Sequence, residues 1–125
     1  MSDENAKNNV SDDVLEAFDI MWGLHPSPVM LIKADRDIVA VNEAGKQLGI
    51  PAGVKCFQLT GQDKICNGCQ GNPMLKENTA KRSTRWNVKL NMFADTYWIP
   101  VRGQDGLFIH FGNNITEYVK EELCG

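Results

Sequence analysis

No apolar run in the sequence approaches the roughly 20 residues that a membrane-spanning helix needs, so no transmembrane segment is expected. Basic residues number 13 against 16 acids, for a net charge of -3, and they do not cluster, which argues against a nucleic-acid partner. Met1 to Asn9 is polar, without the apolar core of a secretory leader. Histidine occurs only twice, so no helical pair of metal-ligand histidines exists. A Ser/His/Asp set and a phosphate-binding glycine loop are missing too, and Asp63, Glu77 and Asp95 read as isolated, solvated acids. Repeats and low-complexity tracts are also absent. What remains is an ordinary globular composition, 42% hydrophobic over 125 residues, enough for one domain with a real core.

Residues 1–10 carry no apolar pattern and are expected to be a disordered lead. In residues 11–24, Ser11 is placed to cap a helix, with Asp12 and Asp13 suited to its positive end. Val14, Leu15, Phe18, Met21 and Trp22 follow at helical spacing, and the helix is expected to stop near Gly23. This stripe suits packing on its own domain and dimerisation equally well.

Val29 to Ile32 reads as a strand, Asp35-Arg36-Asp37 as a turn and Ile38 to Val41 as the hairpin partner. Asn42 ends the strand and caps a helix from Glu43 to Leu48, closed by Gly49. A loop-rich section runs to Gly71, and Asn72-Pro73 opens a second helix reaching about Lys81. The alternation in Thr84 to Asn91 predicts a strand with Trp86, Val88 and Leu90 on one face. A turn through Ala94 and Asp95 leads to a strand from Tyr97 to Arg102. A glycine-bearing loop leads to the last, Leu107 to Phe111. In that strand His110 lies opposite Ile109 and is expected on the outer face or at a dimer contact; His25 reads as a solvated loop residue. Five antiparallel strands need a cover, which the short helices supply, giving an α+β fold.

The order and spacing of these elements resemble the PAS domain, the sensory box module of bacterial histidine kinases, diguanylate cyclases and transcriptional regulators. Pro28-Val29-Met30-Leu31-Ile32, the step Ile38-Val39-Ala40-Val41-Asn42-Glu43-Ala44, Gly49, and Asn114-Ile115-Thr116-Glu117 carry the likeness. The last is usually Asp-Ile-Thr in the family, and Asn114 keeps a hydrogen bond there without the charge. The resemblance implies a PAS fold over residues 25–116, with residues 117–125 beginning an output or linker helix. It implies a sensory module whose sheet face (Trp86, Val88, Leu90, Tyr97, Ile99) and covering helix (Met74) line a small-ligand cavity. The signal would leave through Asn114, Ile115 and Thr116. No catalysis is expected of the chain itself; activity would lie in a fused kinase or diguanylate cyclase domain. A homodimer formed through the N-terminal helix is the expected assembly, and a ligand-free dimerisation module is an alternative.

Cys56, Cys66 and Cys69 form a C-x9-C-x2-C pattern. The Cys66-Asn67-Gly68-Cys69 turn can present two sulfurs to zinc, with Cys56 as a third ligand, but a structural site needs four. The same pair can be a redox couple, or all three can be reduced thiols packing a loop. The composition and the polar start favour a reducing cytoplasm. Haem is disfavoured: Gln70 stands where C-x-x-C-H needs histidine, and the helix from Pro73 to Lys81 contains none. The stretch Gly53 to Gly61 resembles the photoactive-cysteine segment of flavin-binding PAS domains. Lys55, Phe57 and Gly112 replace the polar contacts to flavin there, so flavin is disfavoured as well.

Overall fold

The computed structural model describes residues 10–123. The first helix, α1, spans Asp12–Trp22, and Ser11 Oγ accepts from the Val14 N–H at 3.3 Å. Five strands follow: β1 (Val29–Lys33), β2 (Ile38–Val41), β3 (Lys81–Asn87), β4 (Met92–Pro100) and β5 (Leu107–Asn114). They form one antiparallel sheet in the order β2-β1-β5-β4-β3. Between β2 and β3 come α2 (Glu43–Gln47), a 3₁₀ turn (Cys56–Thr60) and α3 (Gly71–Glu77). The fold is therefore α+β, as the sequence pattern implies.

Both faces of the sheet are covered. Under α1, Phe18 is buried against Val29, Leu31, Val39, Leu107 and Phe111, with Val14, Leu15 and Trp22 packed beside it. The opposite face carries Ile32, Ile38, Val41, Trp98 and Phe108, closed by Met74 of α3 together with Cys56, Cys69 and Leu75. We call these the outer and inner faces. The N-terminal stripe thus divides: Phe18 enters its own domain's core, whereas Met21 is 76% exposed.

Asn42 joins the parts. Its Oδ1 accepts from Gly45 N–H at 3.0 Å, capping α2, and from Val29 N–H at 2.8 Å in β1. Its Nδ2 donates to the carbonyls of Trp22, His25 and Ser27 at 3.2, 3.1 and 2.9 Å. One buried amide therefore satisfies the end of α1, its linker, a strand and a helix start, as buried polar groups require. Close backbone approach completes the joint: a Cβ on Gly45 would lie 2.3 Å from Val41 Cγ1.

Three sequence-based expectations are corrected. The β3–β4 turn falls at residues 88–91, because Asn87 Oδ1 accepts from Leu90 N–H at 3.0 Å and Asn91 adopts a left-handed conformation (φ 51°). Ala94 and Asp95, expected in the turn, are buried in β4, and Asp95 holds Arg82 Nε at 2.6 Å and Thr84 Oγ1 at 2.9 Å. The helix expected from Glu117 to Leu123 is instead two 3₁₀ turns, Thr116–Tyr118 and Glu121–Leu123, separated by extended backbone at Val119. Cys124 and Gly125 lie outside the described residues.

Candidate functional site

The inner face carries the chain's unusual chemistry. The β1–β2 turn places Arg36 in a left-handed conformation (φ 77°) and sends its side chain inward, where it is 1% exposed. Nη1 donates to the Ala34 carbonyl at 2.6 Å, and Nη2 to Asn72 Oδ1 at 3.0 Å and to Cys69 Sγ at 3.9 Å. Among the described residues Nε is buried without a partner, and the guanidinium lies over the Phe108 ring at 5.5 Å. Among the described residues no carboxylate pairs with Arg36. Burying a charge on these terms is costly, so the surrounding structure must fix it in place. Gly71 allows the approach: a Cβ there would stand 2.6 Å from Nη2.

His110 belongs to this face and not to the outside. It pairs with Trp98 across the β4–β5 ladder and stacks on it with ring centroids 5.0 Å apart. Nδ1 lies 3.0 Å from the Tyr97 carbonyl, which can only accept, so Nδ1 bears the proton. Burial pushes its pKa down to about 4; the carbonyl opposes the shift and nearby Arg36 adds to it. His25 is likewise not a solvated loop residue: its ring packs edge-on against Trp22 and Phe111 on the outer face.

Cys69 stands beside the Arg36 guanidinium. Cys56, Cys66 and Cys69 are half-buried free thiols. Burial raises the Cys56 pKa to about 11; Cys69 and Cys66 push it further up, and Arg36 opposes them. Cys69 Sγ also accepts from the Gly71 N–H at 3.4 Å, while Cys66 Sγ faces the Gln62 amide at 3.7 Å. Among the described residues no group of three or more His, Cys, Asp or Glu side chains is placed to hold a metal ion, so Cys56, Cys66 and Cys69 are not gathered into a ligand set.

The six residues expected to line one cavity are not on one wall. Val88 and Leu90 sit in the β3–β4 turn, 80% and 52% exposed. Tyr97 and Ile99 pack on the outer face, Tyr97 stacked on Phe111 at 5.0 Å. Trp86 pairs with Phe93 near the β3 end of the sheet, in the same alternation as Tyr97. Only Met74 lies on the inner face. A groove of about 350 Å³ lies on the outer side, between α1 (Val14, Phe18, Trp22) and Leu31, Val101 and Ile109. Arg36, Trp98 and His110 are the inner-face residues that strand reasoning missed. Trp98 was within reach of it, since the parity that sends Tyr97 outward sends its neighbour inward.

Asn114, Ile115 and Thr116, expected at the exit, are brought together. Asn114 Oδ1 accepts from both the N–H and the Oγ1 of Thr116, at 3.0 and 2.6 Å. Thr116 Oγ1 accepts from the Phe93 N–H at 2.8 Å, and Ile115 N–H donates to the Phe93 carbonyl at 2.9 Å. The end of β5 is thereby latched to the start of β4.

Solved structures share this architecture. The chain superimposes on a sensory box sensor histidine kinase from Vibrio cholerae with a TM-score of 0.59, at 17% identity over 88% of this chain and 95% of that one. A domain of an HTR-like protein from Haloarcula marismortui gives 0.51, at 18% identity over 73% of this chain and 99% of that one. The PAS domain of Bordetella pertussis BvgS gives 0.48, at 14% identity over 86% of each chain. No protein-family model and no curated protein matches the sequence. The fold is the PAS fold. Among the described residues no helix is long and apolar enough to cross a membrane.

Proposed function

We propose that this chain is a sensory or regulatory signalling module without catalysis of its own, acting on a fused or associated output domain such as a kinase or diguanylate cyclase. The latch at Asn114–Thr116 carries this reading. Phe108 and His110, which face Arg36 and Trp98, lie on the strand that ends in the latch. A small ligand or chemical change on the inner face therefore acts on a strand rigidly joined to the exit. Transmission requires two states of that strand with different affinity for the input.

The test is a chimera that joins the chain through its C-terminal segment to a diguanylate cyclase or histidine kinase output domain. Asn114→Ala and Thr116→Val are expected to change output severalfold at equal expression. Unchanged output from both variants would remove the latch from the mechanism.

Assembly as a homodimer accompanies this reading, through the outward side of α1. With Phe18 turned into the core, Ile20 and Met21 remain 72% and 76% exposed, and Leu24 just beyond the helix is 91% exposed. Ile20→Lys with Met21→Lys should convert the dimer to monomer in sedimentation; a monomeric wild type would remove this part.

A further inference from the structure

Signalling by itself gives no reason for a guanidinium buried without a carboxylate beside a cysteine. Two N–H donors converge on Cys69 Sγ, from Arg36 Nη2 and from Gly71. Both donors point at the sulfur, and the one from the cation is charge-assisted. Cys66 Sγ meets a neutral amide, from Gln62. Burial keeps Cys56 protonated, its pKa raised to about 11.

Cys66 and Cys69 end one tight turn. The Cys69 N–H donates to the Cys66 carbonyl at 3.1 Å, and Gly68 supplies the positive φ of 83° that closes a four-residue turn. Such a turn holds its end Cα atoms within about 7 Å, and a disulfide spans about 4.4–6.8 Å. Arg85 braces the turn, donating to the Asn67 carbonyl at 3.0 Å and lying where a Gly68 Cβ would project.

We propose that Cys69 is the nucleophile of a Cys66–Cys69 dithiol switch, with Arg36 as its positioning residue and small-molecule disulfides as its oxidant. Cys69 Sγ, its proton released to solvent, attacks one sulfur of the oxidant; that S–S bond breaks and one thiolate departs. Cys66 Sγ, losing its proton in turn, attacks Cys69 Sγ; the mixed S–S bond breaks and the second thiolate departs. Two thiols of the chain become one disulfide, and one small disulfide becomes two thiols once the departing sulfurs regain the two protons. Bonded to Cys66, Cys69 Sγ faces Arg36 as a disulfide sulfur instead of a thiol. The cation lies against Phe108 of β5, the strand that ends in the latch. As the input to that latch, the switch rests on the signalling reading, whereas its thiol chemistry does not.

The experiment treats fully reduced protein with glutathione disulfide, quenches with acid and maps modified thiols by mass spectrometry. Wild type should lose two thiols to a Cys66–Cys69 disulfide. Cys66→Ser should accumulate a mixed disulfide on Cys69, and Arg36→Met should slow its formation roughly tenfold, with partial rescue by Arg36→Lys and equal rates for all variants in urea. A mixed disulfide forming first on Cys66, or a folded Arg36→Met reacting at the wild-type rate, overturns the proposal. If Arg36→Met does not fold, the wild-type rates decide: Cys69 reacting faster than Cys66 supports the proposal, and slower contradicts it. Failure here leaves the signalling reading standing, because that is read from chimera output. Intact thiol exchange with output unmoved by oxidation or by the latch variants removes the signalling reading instead.

Discussion

The face of the sheet under α1 is closed mostly by hydrocarbon and aromatic rings, Phe18 and Trp22 against Leu31, Tyr97 and Phe111, with the His25 ring beside them. The face under α2 and α3 is closed by a mixture: Met74, Phe108 and Trp98 share it with a buried guanidinium, a neutral histidine and the half-buried thiols Cys56 and Cys69. An apolar face gains stability in proportion to the area it hides and responds little to its surroundings. A face holding titratable and nucleophilic groups in low dielectric responds strongly to a proton, an oxidant or a ligand. On the proposed signalling reading, the outer face serves assembly of the fold and the inner face receives the input.

Substitutions separate the two. Asn42→Ala should have the largest effect, because it unseats α1, β1 and α2 together; a loss of about 4 kcal/mol in urea unfolding is expected from five hydrogen bonds, two buried and three part-buried. A loss below 1 kcal/mol would show that the joint is not held by this amide. Phe18→Ala on the outer face should cost about 3 kcal/mol while leaving the ratio of Cys69 to Cys66 alkylation rates unchanged. A change in that ratio would blur the division between the faces.

Acid titration reads the inner face. His110 stays neutral in the fold down to about pH 4, whereas in the unfolded chain it takes up a proton near 6.5. The unfolded state binds more protons within that window, so stability falls as pH drops from 6.5 to 4, by roughly 2–3 kcal/mol for this group. His110→Phe should flatten that part of the curve in pH-dependent thermal melts, and an unchanged slope would place the titration elsewhere. The smallest effect is expected at the β3–β4 turn: Val88→Ser should stay within about 0.5 kcal/mol of wild type and leave both faces unaltered.

Much of this architecture is legible in the sequence where local rules govern. Ser11 and Asn42 are capping residues ahead of amphipathic or acidic starts, and both cap in the structure. Alternation locates β3 but overshoots its end, because Asn87 and Asn91 form a turn inside an apolar–polar pattern that continues through Val88 and Leu90. The parity of His110 relative to Ile109 is readable, yet not which side is buried, since α1 covers the face that would otherwise meet solvent. Arg36 is the extreme case. Asp35-Arg36-Asp37 reads as a turn, and only contacts with Cys69 and Asn72, more than thirty residues away, show its side chain to be interior.

The unequal roles of the two faces are tested most directly by amide exchange at Phe93, whose N–H donates to Thr116 in the latch. The comparison sets Trp98→Phe on the inner face against Phe18→Leu on the outer, each referred to wild type of known stability. Trp98→Phe should shift Phe93 exchange roughly tenfold beyond its effect on global stability, and Phe18→Leu should not. Equal responses from the two variants would contradict the account.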